Sequence, residues 1–305
     1  MTGHRRIPAA GAGLLALLGA TVAARAEGDC RDIERNYKLI GAEVTSVQTN
    51  TALFAAADSG CEALAQKLID AGAALLARDR FGAMPLAHAA REGRVALVKL
   101  FLTAGAPIDA RNIDGNTALF DAAERQKPTT VTLLLAKGAD PNLPGRSGLT
   151  PVIAAAFAGN DRIVADLIAH GADPQARDST GKAAIVYAAG RGFDDVVARL
   201  LDAGVDARAR YGNELTALMW AAGHDEGVGA AAVARVVDLL LGHGAAIDDA
   251  DNRGRTALMI AAASGDDAVV DLLIRRGADR TRRDKEGKTA LDLAANDAVR
   301  AKLAP

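Results

Sequence analysis

The chain repeats itself every 33 residues, and few folds are compatible with that. A three-residue marker opens each unit: Thr51-Ala-Leu, Met84-Pro-Leu, Thr117-Ala-Leu, Thr150-Pro-Val, Ala183-Ala-Ile, Thr216-Ala-Leu, Thr256-Ala-Leu and Thr289-Ala-Leu. Successive markers lie 33 residues apart, except for one step of 40 between Thr216 and Thr256. A second marker, Gly72, Gly105, Gly138, Gly171, Gly204, Gly244 and Gly277, keeps the same steps, the 40 included. Two markers with one period argue for a linear stack of similar units, in which each unit buries its apolar face only against its neighbours.

Each unit makes physical sense by itself. Thr is a good helix N-cap, because its hydroxyl accepts an orphan backbone N–H. Pro85 and Pro151 follow at the first helical position, where a missing N–H costs nothing. Small pairs such as Ala122-Ala123 and Ala261-Ala262 let a first helix pack closely. Pairs such as Leu134-Leu135 and Leu272-Leu273 supply the apolar face of a second helix. Gly then suits the left-handed residue that ends it. Runs like Asn112-Ile-Asp-Gly115 form a turn before the next marker. Composition agrees: of 305 residues 50% are hydrophobic but only 3% aromatic, so Ala and Leu build the core.

These residues resemble the ankyrin repeat family, whose period is 33 and whose signature reads T-P-L-H-x-A. The resemblance covers about residues 48–303. It implies an all-α solenoid of helix-loop-helix units with projecting β-turns. Seven full repeats are expected over 51–288, after an N-terminal capping segment at 27–50 and before a C-terminal capping half-repeat at 289–305. The sixth repeat carries the seven extra residues, in an interhelix loop near Gly223 to Ala230, and has Glu214 where other turns carry Gly. The family's His after T-P-L is missing throughout: Phe54, Ala87, Phe120, Ile153, Val186, Met219, Met259 and Asp292 stand there.

Residues 1–26 are read as a cleavable signal peptide. His4, Arg5 and Arg6 give a positive start, Ile7 to Val22 is apolar, and Ala24-Arg25-Ala26 is an A-x-A cleavage site. The other reading is an uncleaved anchor, for which the apolar part is short. The sequence leaves general secretion and twin-arginine export open. Loss of Arg5, Arg6 and Arg25 takes the formal net charge from −2 to −5. The expected location is therefore periplasmic or secreted, with a bacterial source suggested by the Ala/Gly/Arg bias. No other segment reads as membrane-spanning. An acidic mature chain with no basic field argues against nucleic acid as a partner.

Chemistry-bearing motifs are sparse. His88, His170, His224 and His243 sit in no H-E-x-x-H pattern and beside no nucleophile. His88 is read as a core-facing structural His. Asp249 to Gly254 mimics the start of a calcium loop, but Arg253 occupies a ligand position and Ile260 replaces the closing Glu. No catalytic residue, cofactor or metal is therefore assigned. An enzyme or metal site at His224-Asp225-Glu226 is the alternative reading, and a purely structural repeat protein a third. Arg78, Arg111, Arg177, Arg210 and Arg283 share one repeat position. They read either as an Arg ladder for an acidic partner or as compensation for Asp79, Asp178 and Asp284, and compensation is favoured. Tyr187 and Trp220, one repeat apart, are read as a stacked core pair.

The resemblance implies that an unidentified protein partner binds a concave face made by turns and first helices, with the chain a monomer. Partner-binding candidates there are Phe81, Arg91, Glu92, Ile113, Arg125, Phe157, Arg191, Tyr211, His224, Asp225 and Glu226. Phe81, Phe157 and Tyr211 stand out as aromatic anchors in an aromatic-poor chain, although packing between turns would also account for them. The only cysteines, Cys30 and Cys61, are expected to form a disulfide in an exported chain, the other possibility being two unpaired thiols.

Overall fold

A computed structural model describes residues 29–39 and 45–304, so the expected signal peptide and its cleavage site lie outside the described residues. Two compact units divide at Asn112 and Ile113. Unit 1 begins with α1 (29–39), followed by α2 (Ser46–Ser59), α3 (Glu62–Asp70), α4 (Pro85–Glu92) and α5 (Val95–Thr103). Unit 2 contains α6 (Ala118–Glu124), α7 (Pro128–Ala136), α8 (Pro151–Phe157), α9 (Asp161–Ala169), α10 (Ala184–Gly190), α11 (Asp194–Asp202), α12 (Ala217–Ala222), α13 (Ala230–Gly242), α14 (Ala257–Ser264), α15 (Asp267–Arg275), α16 (Ala290–Leu293) and α17 (Asp297–Leu303). Among the described residues there is no strand, only two isolated bridges inside turns, Arg177 to Ala183 and Tyr211 to Leu215.

Within each unit the helices pair as the repeat requires, and like helices of successive repeats stack. The stacked faces are small and fully buried: Ala122, Ala155, Ala188, Ala221 and Ala261 on first helices, Leu134, Leu167, Leu200, Leu240 and Leu273 on second helices. They are buried between the paired helix of the same repeat and the like helices of its neighbours, so one repeat alone leaves much of its apolar face open to water. The markers cap as expected at several helices. Thr117, Thr216, Thr256 and Thr289 accept the N–H three residues on. Pro128 opens α7, where a Gly usually stands between the helices.

The first repeat departs from the pattern. Thr51 does not start a helix: α2 begins at Ser46, and the Thr51 hydroxyl donates to Val47 O inside the helix at 2.8 Å. Thr45 and Gln48 form a capping box upstream, and no turn precedes Thr51 to stop the helix there. α1 is fastened to the rest of unit 1 by the Cys30–Cys61 disulfide and by Lys67 Nζ to Glu34 at 2.9 Å.

The turns have their own logic. In four of them an aspartate, Asp79, Asp178, Asp251 or Asp284, turns inward, and its Oδ1 accepts the N–H groups two and four residues on at 2.8–3.1 Å. The ladder arginines donate to turn carbonyls: Arg78 to Gly82 O and Arg111 O, Arg283 to Gly287 O, and Arg210 to Ala250 O while it also pairs with Asp249 at 3.3 Å. The compensation reading is corrected for Arg78 and Arg283, whereas Arg210 does meet a local acid, Asp249. Each aspartate gives one oxygen to backbone amides and the other to a side chain (His88, Tyr187, Arg253 or Arg255), and the arginines tie each turn to itself or to the next. Where Gly145 or Tyr211 replaces the aspartate, two successive residues take positive φ, Ser147 with Gly148 and Asn213 with Glu214, whereas the turn of Asn112 keeps the single Gly115. Glu214, at φ 61, thus occupies a left-handed position that elsewhere belongs to Gly148, Gly181 and Gly254. Such a conformation is costly for a residue with a Cβ. Glu214→Gly is expected to stabilise unit 2 by about 1 kcal/mol in denaturant titration. The exposed Arg210–Glu214 pair, 3.9 Å apart, offsets little of that gain.

Candidate functional site

First-helix positions one repeat apart form a column whose members set what the surface can hold. One column reads Ala55 and His88 in unit 1, then Asp121, Ala154, Tyr187, Trp220, Ile260 and Leu293 in unit 2. Ala154 is the smallest of those in unit 2, and a hollow of about 450 Å³ opens beside it. Leu149, Ile153, Ala154 and Ala158 give the hollow an apolar floor, and Phe120, Phe157 and Tyr187 its walls. Phe157 is 48% exposed, an unusual state for a large aromatic. Its ring meets Tyr187 edge-on at 5.8 Å, and the Arg191 guanidinium lies 4.2 Å from its centroid. Glu124 and Arg146 pair across the rim at 3.2 Å.

Tyr187 is fixed from behind. Its hydroxyl donates to Asp178, and burial together with that hydrogen bond pushes its pKa up to about 12. Burial alone would raise the Asp178 pKa, but the Tyr187 hydroxyl, the Thr180 hydroxyl and the turn amides outweigh it and hold the carboxyl below its ordinary value. Rather than the stacked pair expected of Tyr187 and Trp220, the two rings share Lys182, whose ammonium lies 5.6 and 4.7 Å from their centroids.

Unit 1 has a hollow of its own, about 610 Å³, lined by Val47, Phe54, Phe81, Arg80, His88 and Arg91 among others. Phe81 is 56% exposed, with Arg80 over its ring at 4.7 Å. His88 is 7% exposed and lies 4.9 Å from Phe54. Its Nδ1 is 2.9 Å from Asp58 Oδ1 and its Nε2 3.2 Å from Asp79 Oδ2. Only the imidazolium can donate to both carboxylates. Burial lowers the His88 pKa, but the Asp58 hydrogen bond and charge, with Asp79, outweigh burial and the Arg91 charge and raise it. Burial raises the Asp58 pKa, but His88 and Arg91 outweigh it and bring it down.

The sign of the pH effect follows. A raised His pKa gives stability that is fully present below pH 6.5 and lost as pH rises through the folded value. A depressed Asp pKa gives stability that is present above 3.8 and lost as pH falls. This cluster therefore stabilises unit 1 most between roughly pH 4 and 6.5. His88→Gln is expected to flatten the alkaline limb of the stability profile, while the His88 ring titrates above the free-histidine value by NMR.

The remaining candidates are dispersed. Arg91 is held by Asp58 at 3.2 Å and Glu92 at 3.4 Å. Ile113, 76% exposed, stands at the start of unit 2, and Arg125 is exposed at the end of α6. Tyr211 is a correction. It is 6% exposed beneath the Arg177 guanidinium, with burial pushing its pKa up to about 12, so it is turn packing and not a surface anchor. His224 is committed on both sides, Nε2 to Asp266 at 2.8 Å and Nδ1 to Asp225 O at 2.9 Å. Asp225 and Glu226 are exposed, and the Asp225 N–H donates to Gly190 O. The extended loop is thus clamped to the first turn of α15 and to α10. No group of three potential metal ligands occurs among the described residues. Ala154, Leu149 and Lys182 escaped the sequence reading. Aligning the repeats by column and looking for the smallest member among those of unit 2 would have found the first.

The helix-turn geometry has recognisable relatives. The family model for ankyrin repeats matches residues 53–145, 86–178, 152–230 and 228–301. No curated protein matches the chain. Among solved structures, the human ASB11 ankyrin repeat domain is similar at 27% identity with a TM-score of 0.65, over 73% of this chain and 99% of that one. Ankyrin repeats are in general protein–protein interaction modules and typically non-enzymatic binding scaffolds. With matches running almost end to end over the described repeats, the chain belongs to the ankyrin repeat family.

Proposed function

We propose that this chain is an exported, non-catalytic protein-binding module of a bacterial envelope. In this reading it scaffolds, inhibits or protects a partner protein and works as a monomer. One observation carries the binding: the exposed Phe157 ring, held under Arg191 at the mouth of an apolar hollow. A prebuilt surface of this kind loses little conformational freedom on association. Residues 1–26 serve as the leader, 27–50 as the capping segment, 51–288 as seven repeats and 289–305 as the closing half-repeat. Export is supported by the leader pattern and by a disulfide, which persists in oxidising compartments. No helix among the described residues is long and apolar enough to cross a membrane.

The test places a photoreactive side chain at position 157 or, as a control, at the exposed Asp195 on the second-helix surface of unit 2. Irradiation of intact cells should give one discrete crosslinked protein from 157 and none from 195. Equal labelling at both, or none at 157, overturns the reading. N-terminal sequencing of the extracted protein should begin at Glu27.

A further inference from the structure

We infer that the hollow of unit 2 receives an acidic segment of a partner protein, with one large apolar side chain seated beside Ala154 and a carboxylate on Arg191 or Lys182. This rests on the protein-binding reading and specifies its ligand chemistry. The apolar half follows from shape. A hollow of about 450 Å³ falls within the size range of side-chain and small-ligand sites. It exists because Ala154 stands between the larger Asp121 and Tyr187 in its column.

The acidic half follows from how the charges are satisfied. The acids at the hollow are already engaged: Glu124 by Arg146, and Asp178 by the Thr180 and Lys182 amides and the Tyr187 hydroxyl. Two cations are not paired with an acid: Arg191, which lines the hollow, and Lys182, which lies outside its lining against the Tyr187 wall. Arg191 lies on the faces of Phe157 and Phe193, at 4.2 and 5.6 Å, and Lys182 on those of Tyr187 and Trp220. An aromatic face fixes a cation's position without neutralising its charge. These two groups are therefore held in place while their charges remain available, and a carboxylate meets them with little ordering cost. The same stacking argues against a cationic ligand, since Arg191 already covers Phe157. On the second-helix surface of unit 2 the arginines are by contrast already paired, Arg199 with Asp161, Arg235 with Asp194 and Arg276 with Asp238, so that side offers a carboxylate no comparable site.

The probe is a random peptide library displayed on phage and selected on the full mature protein. Enriched sequences should combine Asp or Glu with one Phe, Trp or Leu. For the best peptide, Arg191→Glu and Lys182→Glu should each weaken binding about tenfold or more. Replacing the peptide's acids by Lys should restore binding to Arg191→Glu. Ala154→Leu should fill the hollow and abolish binding. If that variant fails to fold, the two charge reversals still decide. Peptides without acidic bias, binding indifferent to both reversals, or no enriched sequence overturn the inference. Apolar peptides that bind and are lost in Ala154→Leu would overturn only the acidic recognition, whereas silence of the crosslinker at 157 would overturn the broader reading.

Discussion

Reducing the Cys30–Cys61 bond is expected to lower the stability of unit 1 by about 3–4 kcal/mol. The two cysteines are 31 residues apart in sequence. On the chain-entropy model, closing a loop of that length removes about this much freedom from the unfolded chain. The other ties of α1 among the described residues are weaker: half-buried Ile33 and Tyr37 face α2 across a shallow hollow. The Lys67–Glu34 pair is screened by water and adds little, and Tyr37 meets Thr49 at a long 3.5 Å. Cys61 is 4% exposed at the start of α3, so the bond fastens α1 directly to the buried surface of the first repeat. The loss should be local. Hydrogen exchange should rise in α1, α2 and α3 on reduction or in Cys30→Ser, while α8 to α15 keep their protection. Two labelled thiols per unfolded, unreduced chain, or an unchanged melting profile on reduction, would sink this.

The period told where helices begin and end wherever local chemistry was uniform. Pro128 could be placed at the head of α7, and the long loop of the sixth repeat between Gly223 and Ala230, because caps and turns act over a few residues. The same reasoning misplaced the start of the first helix. Thr51 matches the marker, but what stops a helix is the turn before it, and at residues 46–50 there is none. Side-chain depth was less legible still. Tyr211 and Phe157 look alike as turn-proximal aromatics. One replaces a turn aspartate and is drawn inward under Arg177, and the other ends a first helix and stays out. A period identifies equivalent positions, not which of them touch. The Lys182 contact with two rings and the gap beside Ala154 both depend on neighbouring repeats, so neither could be read along a single one.

Asp178→Ala should destabilise unit 2 by about 3 kcal/mol and disable the hollow. The carboxylate is 7% exposed and accepts from the Thr180 and Lys182 amides, the Thr180 hydroxyl and Tyr187. Deleting it leaves several donors without a partner, at about 1–3 kcal/mol for each that water cannot reach. Asp178→Asn should cost less, since its amide oxygen still accepts the two turn amides. The two variants separate turn from site. Both lose the anion that anchors the Tyr187 hydroxyl, so both should loosen the wall against Phe157 and weaken partner binding. Only Asp178→Ala should also open the turn that positions Lys182. The wild-type carboxyl has a depressed pKa, so its contribution is present above 3.8 and is lost as pH falls through the folded value. Neither variant should show that acid limb. Urea titrations at several acidic pH values, with hydrogen exchange at the Thr180 and Lys182 amides, test this. Fast exchange there in Asp178→Ala but not in Asp178→Asn is the expected pattern, and equal protection in both would show that the turn closes without the carboxylate.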